Sequence, residues 1–371
     1  MSNSFDVIVI GGGPGGAAAA IACRQRGLRT LVLERGSEGG GADQIPGETL
    51  QPGIEILFRA LGVDVPVNTA GFFRHGGHCI HSKGESRLET FGADDRGQWK
   101  GYLVDRPRLH GILIGEAVAS GAAVMRGVRA VGVLQSGTRV AGVETTSGRF
   151  TSQFVVDASG GRQWMVHQLG LHQLRVSPAL VARFGWVNTQ HDSAANPLPN
   201  LYLHDEGWEW TAPISPSCQA WVRLGLNNAR CNTRTLIPPE FSAGTSGGRP
   251  GARDVSWRIV PHSAGPGYFL VGDAAWILDP ACSHGVFKAV MSAMVAAEAI
   301  ARCKEPAVER EQQLGYCDWL RDWFWRDAAA LITLYSRLRK PPSWLTSAAE
   351  TVRTIVTSPV LRAFPSSPRQ N

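Results

Sequence analysis

The chain has 371 residues, 43% of them hydrophobic, enough for a sizeable core and too many for global disorder. Lys and Arg number 37 against 31 Asp and Glu, a net charge of +6 with no basic run, which gives no support to nucleic-acid binding. No stretch approaches the roughly 18 apolar residues of a membrane span, and seven cysteines, odd in number and without a CxxC pair, read as reduced thiols of a cytoplasmic protein.

Asp6-Val7-Ile8-Val9-Ile10 reads as a strand running into Gly11-Gly12-Gly13-Pro14-Gly15-Gly16, after which four alanines begin a helix. A second strand, residues 29–33, ends at Glu34. Gly11 permits the tight turn, Gly13 lets a pyrophosphate come close, and Gly16 lets helix and strand pack closely. The helix start supplies free N–H groups and a positive dipole end. An acid at position 34 suits the diol of an adenosine ribose without a 2′-phosphate, as in FAD or NAD. Residues 7–22 are apolar, but no basic segment precedes them and their glycines have this other task, so they are not read as a signal peptide.

A glycine-rich loop, 36–41, and then Ile45-Pro46-Gly47-Glu48-Thr49-Leu50-Gln51-Pro52-Gly53 lead to a helical segment ending near Leu61. Short alternating runs between 70 and 104 predict strands of a sheet. A helix is predicted over 104–121, beginning after Pro107, then a strand at 122–125, a hairpin from 128–133 and 140–145, and a strand from Phe154 to Asp157 entering a glycine turn. From 164 to 261 alternation and frequent aromatic residues predict an antiparallel sheet in a separate layer. Residues 268–273 return to a buried strand, a long helix follows over 285–302, and the tail from about 307 is helical. It carries Trp319, Trp323 and Trp325, read as helix packing or a docking surface, and ends in a Pro/Ser-rich terminus.

The block Gly272-Asp273 followed by Asp279-Pro280-Ala281-Cys282-Ser283-His284-Gly285-Val286 is the second signal. A buried strand ending in Gly-Asp sets one carboxylate against a ribityl or ribose hydroxyl. The following turn opens a helix whose dipole stabilises negative charge beyond it, such as the N1/C2=O edge of a reduced flavin. No second complete GxGxxG appears, so no separate NAD(P)H domain is expected.

Taken in order, the N-terminal fingerprint, Gly47-Glu48-Thr49-Leu50-Gln51-Pro52, Val104-Asp105-Arg106, Val156-Asp157-Ala158-Ser159-Gly160 and the Gly272-Asp273 to Gly285 block resemble the FAD-dependent monooxygenases of the para-hydroxybenzoate hydroxylase fold. Gly-Glu-Thr-Leu and Ser-His-Gly-Val look most like the branch holding flavin-dependent halogenases and the flavoproteins that oxidise tryptophan during tryptophylquinone maturation. The resemblance covers roughly residues 5 to 300. It implies an α/β fold: a discontinuous Rossmann-like FAD-binding domain (1–70, 101–163, 262–303), a mainly antiparallel β substrate domain (71–100, 164–261) and a C-terminal helical segment (304–371). It implies that Gly11, Gly13 and Gly16 hold the pyrophosphate, Glu34 the adenosine ribose, Arg106 the phosphate or ribityl region and Asp273 the ribityl chain. His284, Gly285 and Val286 would flank the flavin ring, and Pro14, Gly15, Arg35, Thr49, Leu50, Gly272 and Pro280 complete the cofactor set.

Two departures bear on activity. Flavin-dependent halogenases carry a lysine shortly after their Gly-Glu motif; residues 70–75 here read Ala-Gly-Phe-Phe-Arg-His, and Lys83 lies farther on in a turn-like stretch. Those enzymes also carry Trp-x-Trp-x-Ile-Pro; this chain has Trp208-Glu209-Trp210-Thr211-Ala212-Pro213. Trp208 and Trp210 share one face of a strand and either wall a substrate chamber or pack a sheet. Glu48 either acts near flavin or substrate or caps a helix, and His284 is the other catalytic candidate. No metal is expected, because His75, His78, His81 and Cys79 lack a supporting second cluster. The reading is an enzyme: an FAD-dependent monooxygenase acting through a flavin C4a-hydroperoxide on an electron-rich, indole-like aromatic, either a small molecule or a tryptophan on a partner polypeptide. O2 is the co-substrate, and electrons come from NAD(P)H or from FADH2 supplied by a separate flavin reductase. The alternatives are a halogenase, an isoprenoid reductase and a non-catalytic flavoprotein.

Overall fold

Val7, Ile8 and Val9 are fully buried, as expected for a strand covered on both faces. In the computed structural model, which describes residues 3–36, 47–188, 197–227, 245–246 and 250–357, this strand, Ser4–Ile10, lies at the centre of a parallel array. Thr30–Glu34 pairs with it on one side and Ala123–Arg126 lies beyond; Gly148–Asp157 pairs on the other side, with Tyr268–Leu270 next to its C-terminal half. The N-terminal half of Gly148–Asp157 instead pairs antiparallel with Arg139–Thr145, which forms a hairpin with Ala130–Ser136. One sheet is thus assembled from three separated stretches of chain. The glycine-rich loop expected at 36–41 lies largely outside the described residues, as do Ile45, Pro46 and the Pro/Ser-rich terminus.

Helix α1 (Pro14–Gln25) presents Ala17 to Ala20, all buried. Small side chains let α1 pack close against a later helix, where a Cβ on Gly15 would sit 3.4 Å from that of Ala289. The next helices are α2 (Ile54–Leu61), α3 (Asp64–Thr69) and α4 (Arg106–Ala119). α4 begins at Arg106 rather than after Pro107, because the Asp105 carboxylate accepts the backbone N–H of Arg108 at 2.7 Å and proline suits a first helical turn. Val104, expected in that helix, lies in strand Gly101–Asp105.

The strands between 70 and 104 do not form one sheet. Phe73–His75 pairs with Gly101–Asp105, which also pairs with Gly47–Leu50, while Gly77–Ser82 and Glu85–Thr90 form a hairpin on the second large sheet. That sheet is mainly antiparallel and runs Thr245–Ser246, Val181–Asn188, Cys218–Gly225, Gly207–Ser215, Asn200–His204, Gly77–Ser82, Glu85–Thr90, with Gly251–Asp254 on Val181–Asn188. Its parallel pair, Asn200–His204 with Gly77–Ser82, is where the two chain segments meet. The stretch 164–261 is not all sheet: α5 (Trp164–Leu169) opens it, and Leu174–Arg175, Arg258–Ile259 and Trp276–Ile277 form a small sheet of their own. Helix α6 (Gly285–Arg302) occupies the bounds expected from sequence, and α7 (Pro306–Ser336) and α8 (Leu345–Thr357) close the fold.

A Cβ on Gly16 would lie 1.8 Å from the carbonyl oxygen of Gly11, so backbone must move to admit it. Gly16→Ala is therefore expected to destabilise the flavin-free protein by about 1–3 kcal/mol, read as a lower urea midpoint at unchanged slope.

Candidate functional site

The glycine turn sits between the C-terminal edge of the first sheet and the start of α1. Gly11 has φ +99°, and a Cβ there would stand 2.6 Å from the carbonyl oxygen of Ala158, so neither conformation nor space admits a side chain. A Cβ on Gly13 would meet nothing within 4 Å, which leaves room for a ligand at the helix start. No side chain caps α1 and no acid lies in its first turn, so its leading N–H groups and positive dipole end are available to an anion. Pro14 takes the first helical position, where its missing N–H costs nothing.

At the tip of the second strand, both Glu34 oxygens accept backbone N–H groups, Oε2 from Gly12 and Oε1 from Gly36, each at 2.7 Å. Glu34 is thereby aimed along the turn, with Arg35 exposed beside it. His110 on α4, absent from the sequence reading, donates from Nε2 to the carbonyl of Gly12 and braces the same turn.

The opposite end of the crevice gathers Glu48, Arg106, Asp273 and the start of α6. Arg106 Nη1 lies 3.2 Å from Glu48 Oε2, and both side chains are about a quarter exposed. That Oε2 is buried and has no hydrogen-bond partner. A Cβ on Gly285 would stand 3.0 Å from Glu48 Oε1, so glycine is what lets the start of α6 approach the carboxylate. Thr49 pairs with Leu103 across the small sheet, whereas Leu50 and Val286 are core residues.

Gly272 adopts φ +57° and donates its N–H to Ser292 Oγ at 2.9 Å. The adjoining Asp273 is held by Lys288 Nζ at 2.8 Å, and the same ammonium donates to the Trp276 carbonyl at 3.0 Å. Burial pushes the Asp273 carboxyl up, but Lys288, Arg253 and Arg106 outweigh it and hold the group below the usual carboxylate range. Lys288 was missed in sequence; the available signal was a lone lysine in the otherwise apolar start of α6.

Between Asp273 and α6 the chain turns at Pro280–Cys282, and this turn hangs on Asp279, which is fully buried. Its Oδ1 accepts from the Tyr335 hydroxyl (2.7 Å) and the Ala281 N–H (3.0 Å), and its Oδ2 from Trp257 Nε1 (2.7 Å). Trp208 Nε1 in turn donates to the Tyr335 oxygen at 2.9 Å. Trp208 is thus a buried structural anchor, while Trp210, on the same strand face, is partly exposed. Past the turn, His284 Nδ1 bonds Asp327 Oδ2 on α7 at 2.9 Å.

The remaining candidates disperse. His81 bonds Ser86 and Asn200, His75 donates to the Gly77 carbonyl, and His78 faces Glu89, so these histidines do not converge on Cys79. Arg74 is taken up by Glu55 and lies 3.9 Å over the ring of Tyr102. Lys83 sits at φ +55° in the exposed turn between two strands. Trp319 and Trp323 line up at 6.3 Å, with Phe287 of α6 at 6.3 Å from Trp323, as packing between helices. Among the described residues no helix is long and apolar enough to cross a membrane.

Three features of this crevice fit FAD: the uncapped start of α1, the empty space over Gly13, and the buried Glu48 Oε2, which meets Arg106 as an ion pair but accepts no hydrogen bond. Comparison with known proteins points the same way. The family described as an FAD binding domain matches residues 4–217. A 1H-pyrrole-2-carbonyl-[peptidyl-carrier protein] brominase from Pseudoalteromonas luteoviolacea is 26% identical over 350 residues, 85% of this chain and 82% of its own length. A digeranylgeranylglycerophospholipid reductase from Thermoplasma acidophilum is 26% identical over 317 residues, 80% of this chain and 78% of its own. Among solved structures, a myxobacterial chondrochloren halogenase superposes with a TM-score of 0.81 at 24% identity, covering 95% of this chain and 89% of that one. A peptidyl tryptophan dihydroxylase of tryptophylquinone biogenesis superposes at 0.72 and 18% identity, covering 93% and 79%. The two structures establish a shared fold.

Two outcomes follow from this geometry. Burial raises the Asp279 carboxyl from 3.8 to about 6 against the pull of its three donors. The folded state therefore binds the proton more tightly than the unfolded state. The resulting stabilisation is complete below the unfolded value and is lost as pH rises through about 6. The difference in stability between wild type and Asp279→Asn, measured by urea titration, should change by about 3 kcal/mol across that window. Glu34→Ala removes the carboxylate that accepts the N–H groups of Gly12 and Gly36 at the glycine turn, and isothermal titration of the apoprotein should show FAD bound about 10- to 100-fold more weakly.

Proposed function

The chain belongs to the FAD binding domain family and is an FAD-dependent oxidoreductase, and from that premise we propose that it oxygenates an electron-rich aromatic ring of the indole or pyrrole class. The start of α1 with Gly11, Gly13 and Gly16 binds the pyrophosphate, and Glu34 the adenosine ribose. Asp273, held ionised by Lys288, meets the ribityl hydroxyls, and the turn from Pro280 to Val286 lies at the ring end with Glu48 and Arg106. Bound FAD, once reduced by NAD(P)H or replaced by FADH2 from a separate reductase, supplies the activation of dioxygen. The protein's own contribution is to exclude water, orient the ring and handle protons at that end of the crevice.

The observation that carries oxygenation over halogenation is the fate of the basic residues. No lysine occurs in 70–75, Arg74 is taken up by Glu55 and Tyr102, Lys83 is at an exposed turn, and Lys288 is bound to Asp273. No free ammonium among these stands ready to carry a halogen to the substrate. Bromination is the second reading, favoured by the pyrrole brominase relative and by the Trp208-x-Trp210-x-x-Pro213 run. The substrate is either a free small molecule or a tryptophan displayed on a polypeptide, the latter being what the dihydroxylase of similar fold uses.

FAD-loaded protein should be supplied with NADH, a flavin reductase and air, and offered free indole, pyrrole-2-carboxylate thioester and a tryptophan-containing peptide, each with and without bromide. Mass spectrometry should show oxygen added to one of them whether or not bromide is present. A brominated product that requires bromide would replace this reading with halogenation. Saturation of an isoprenoid double bond without air would replace it with reduction.

A further inference from the structure

Asp327 is a nearly buried carboxylate, 5% exposed, on the face of α7 that packs against the protein. Its Oδ2 receives His284 Nδ1 at 2.9 Å, from a residue 43 positions away in the chain. His284 is the residue immediately before α6, beside Gly285 and hence beside Glu48. Its side chain is about a fifth exposed, its ring packs 5.9 Å from Phe287, and no bond to its Nε2 is found among the described residues. A buried acid behind one nitrogen and an open second nitrogen are the parts of an oriented base.

We propose that Asp327 and His284 form a proton-handling pair at the ring end of the crevice, Asp327 as the positioning residue and His284 Nε2 as the base. The inference rests on the oxygenation reading above and adds the substrate feature it demands: an aromatic ring carrying an N–H or O–H whose proton is lost as the ring is attacked. In the step, as the ring is attacked at carbon its heteroatom–hydrogen bond becomes acidic and breaks, the bonding pair returns to the ring, and the proton binds Nε2. Nδ1–H remains on Asp327, whose carboxylate faces the imidazolium that results. The proton then leaves to water through the exposed edge of His284. Fixing Nδ1 as the donor matters because the other tautomer would present an N–H, which accepts no proton.

The other charged or titratable neighbours do not compete for this role. Lys288, one turn into α6, is bound to Asp273 and the Trp276 carbonyl. Cys282 brings its thiol within 4.8 Å of the His284 and Asp327 donor atoms, which would make a three-ligand metal site. Burial pushes that thiol up to about 12, so in the metal-free protein it is a neutral neighbour that takes no proton from His284.

The test is nitrogen NMR on 15N-histidine-labelled protein, without and with FAD, with the His284 signals assigned by their loss in His284→Gln. At a pH where the ring is neutral, wild type should show the proton on Nδ1, and diethyl pyrocarbonate should modify Nε2 in the native protein. Asp327→Asn should move a large share of the proton to Nε2 while FAD uptake stays at the wild-type level, and Asp327→Glu should restore the Nδ1–H form. A wild-type ring protonated on Nε2, an Nε2 that resists the reagent, or a tautomer balance unmoved by Asp327→Asn would overturn the pair. Stoichiometric Zn2+ uptake lost in Cys282→Ser would overturn it in favour of a metal site. The wild-type measurement stands even if the Asp327 variants fail to fold. Failure of the protein to take up FAD at all would instead defeat the oxidoreductase reading, and the tautomer would still be read on the apoprotein.

Discussion

Asp279 accepts hydrogen bonds from three parts of the chain that have little else in common: Trp257 beside the second sheet, Tyr335 near the end of α7, and the N–H of Ala281 in its own turn. Through Tyr335 it also reaches Trp208 in the middle of the second sheet. A carboxylate with no solvent exposure must either find such donors or be protonated. Here it does part of each, since three donors pull it down and burial still leaves it above its ordinary value. The consequence is positional. The turn Pro280–Cys282 cannot shift without breaking bonds to two layers of the fold, so the start of α6 is held in place relative to the sheet above it and the helix behind it.

The charges in the crevice are arranged around that fixed point. Two helix starts bring positive dipole ends to its two extremities, α1 at the glycine turn and α6 at Gly285. The carboxylates that line it are each answered separately: Glu34 by two backbone N–H groups, Asp273 by Lys288, and Glu48 in part by Arg106. The excess of donors suits a ligand that is itself anionic along its length. Glu48 Oε2, buried and met by Arg106 only as an ion pair, is where the protein alone leaves a hydrogen bond unmade, and such an atom is tolerated in a native fold where a ligand completes it.

The parts of this arrangement that depend on neighbours in sequence were legible in the sequence. Gly11, Gly13 and Gly16 each meet a different local requirement, one of conformation, one of empty space and one of close approach, and Glu34 follows at strand length. The bounds of α6 were readable because a glycine opens it and a mostly small and apolar run, interrupted by Lys288 and Glu298, fills it. What could not be read were residues whose partners lie far away: Lys288 with Asp273 across the turn, Tyr335 with Asp279 at 56 positions, Asp327 with His284 at 43. Trp208 illustrates the limit from the other side. Its position on one face of a strand was correct, but alternation alone does not say whether that face meets a chamber or a helix, and Tyr335 decides it. Likewise, alternation between 70 and 104 could not divide its strands between two sheets, because each sheet satisfies the same period of two.

Helix α7 therefore has a larger part in the site than its distance in sequence suggests. Phe324, Asp327, Ala328, Leu331 and Tyr335 are all buried and recur at the helical period, so one stripe of α7 faces the body of the protein. Apolar members of that stripe supply the burial that fastens α7, and two polar members use the fastening. Tyr335 secures the turn through Asp279, and Asp327 orients the histidine that follows the turn. Because both act from one rigid element two turns apart, the turn and the imidazole keep a fixed relation to each other. Had the two contacts come from separate loops, each would have carried its own ordering cost and its own motion. A stripe that packs as an ordinary amphipathic helix thereby also sets the geometry of the turn and of the start of α6.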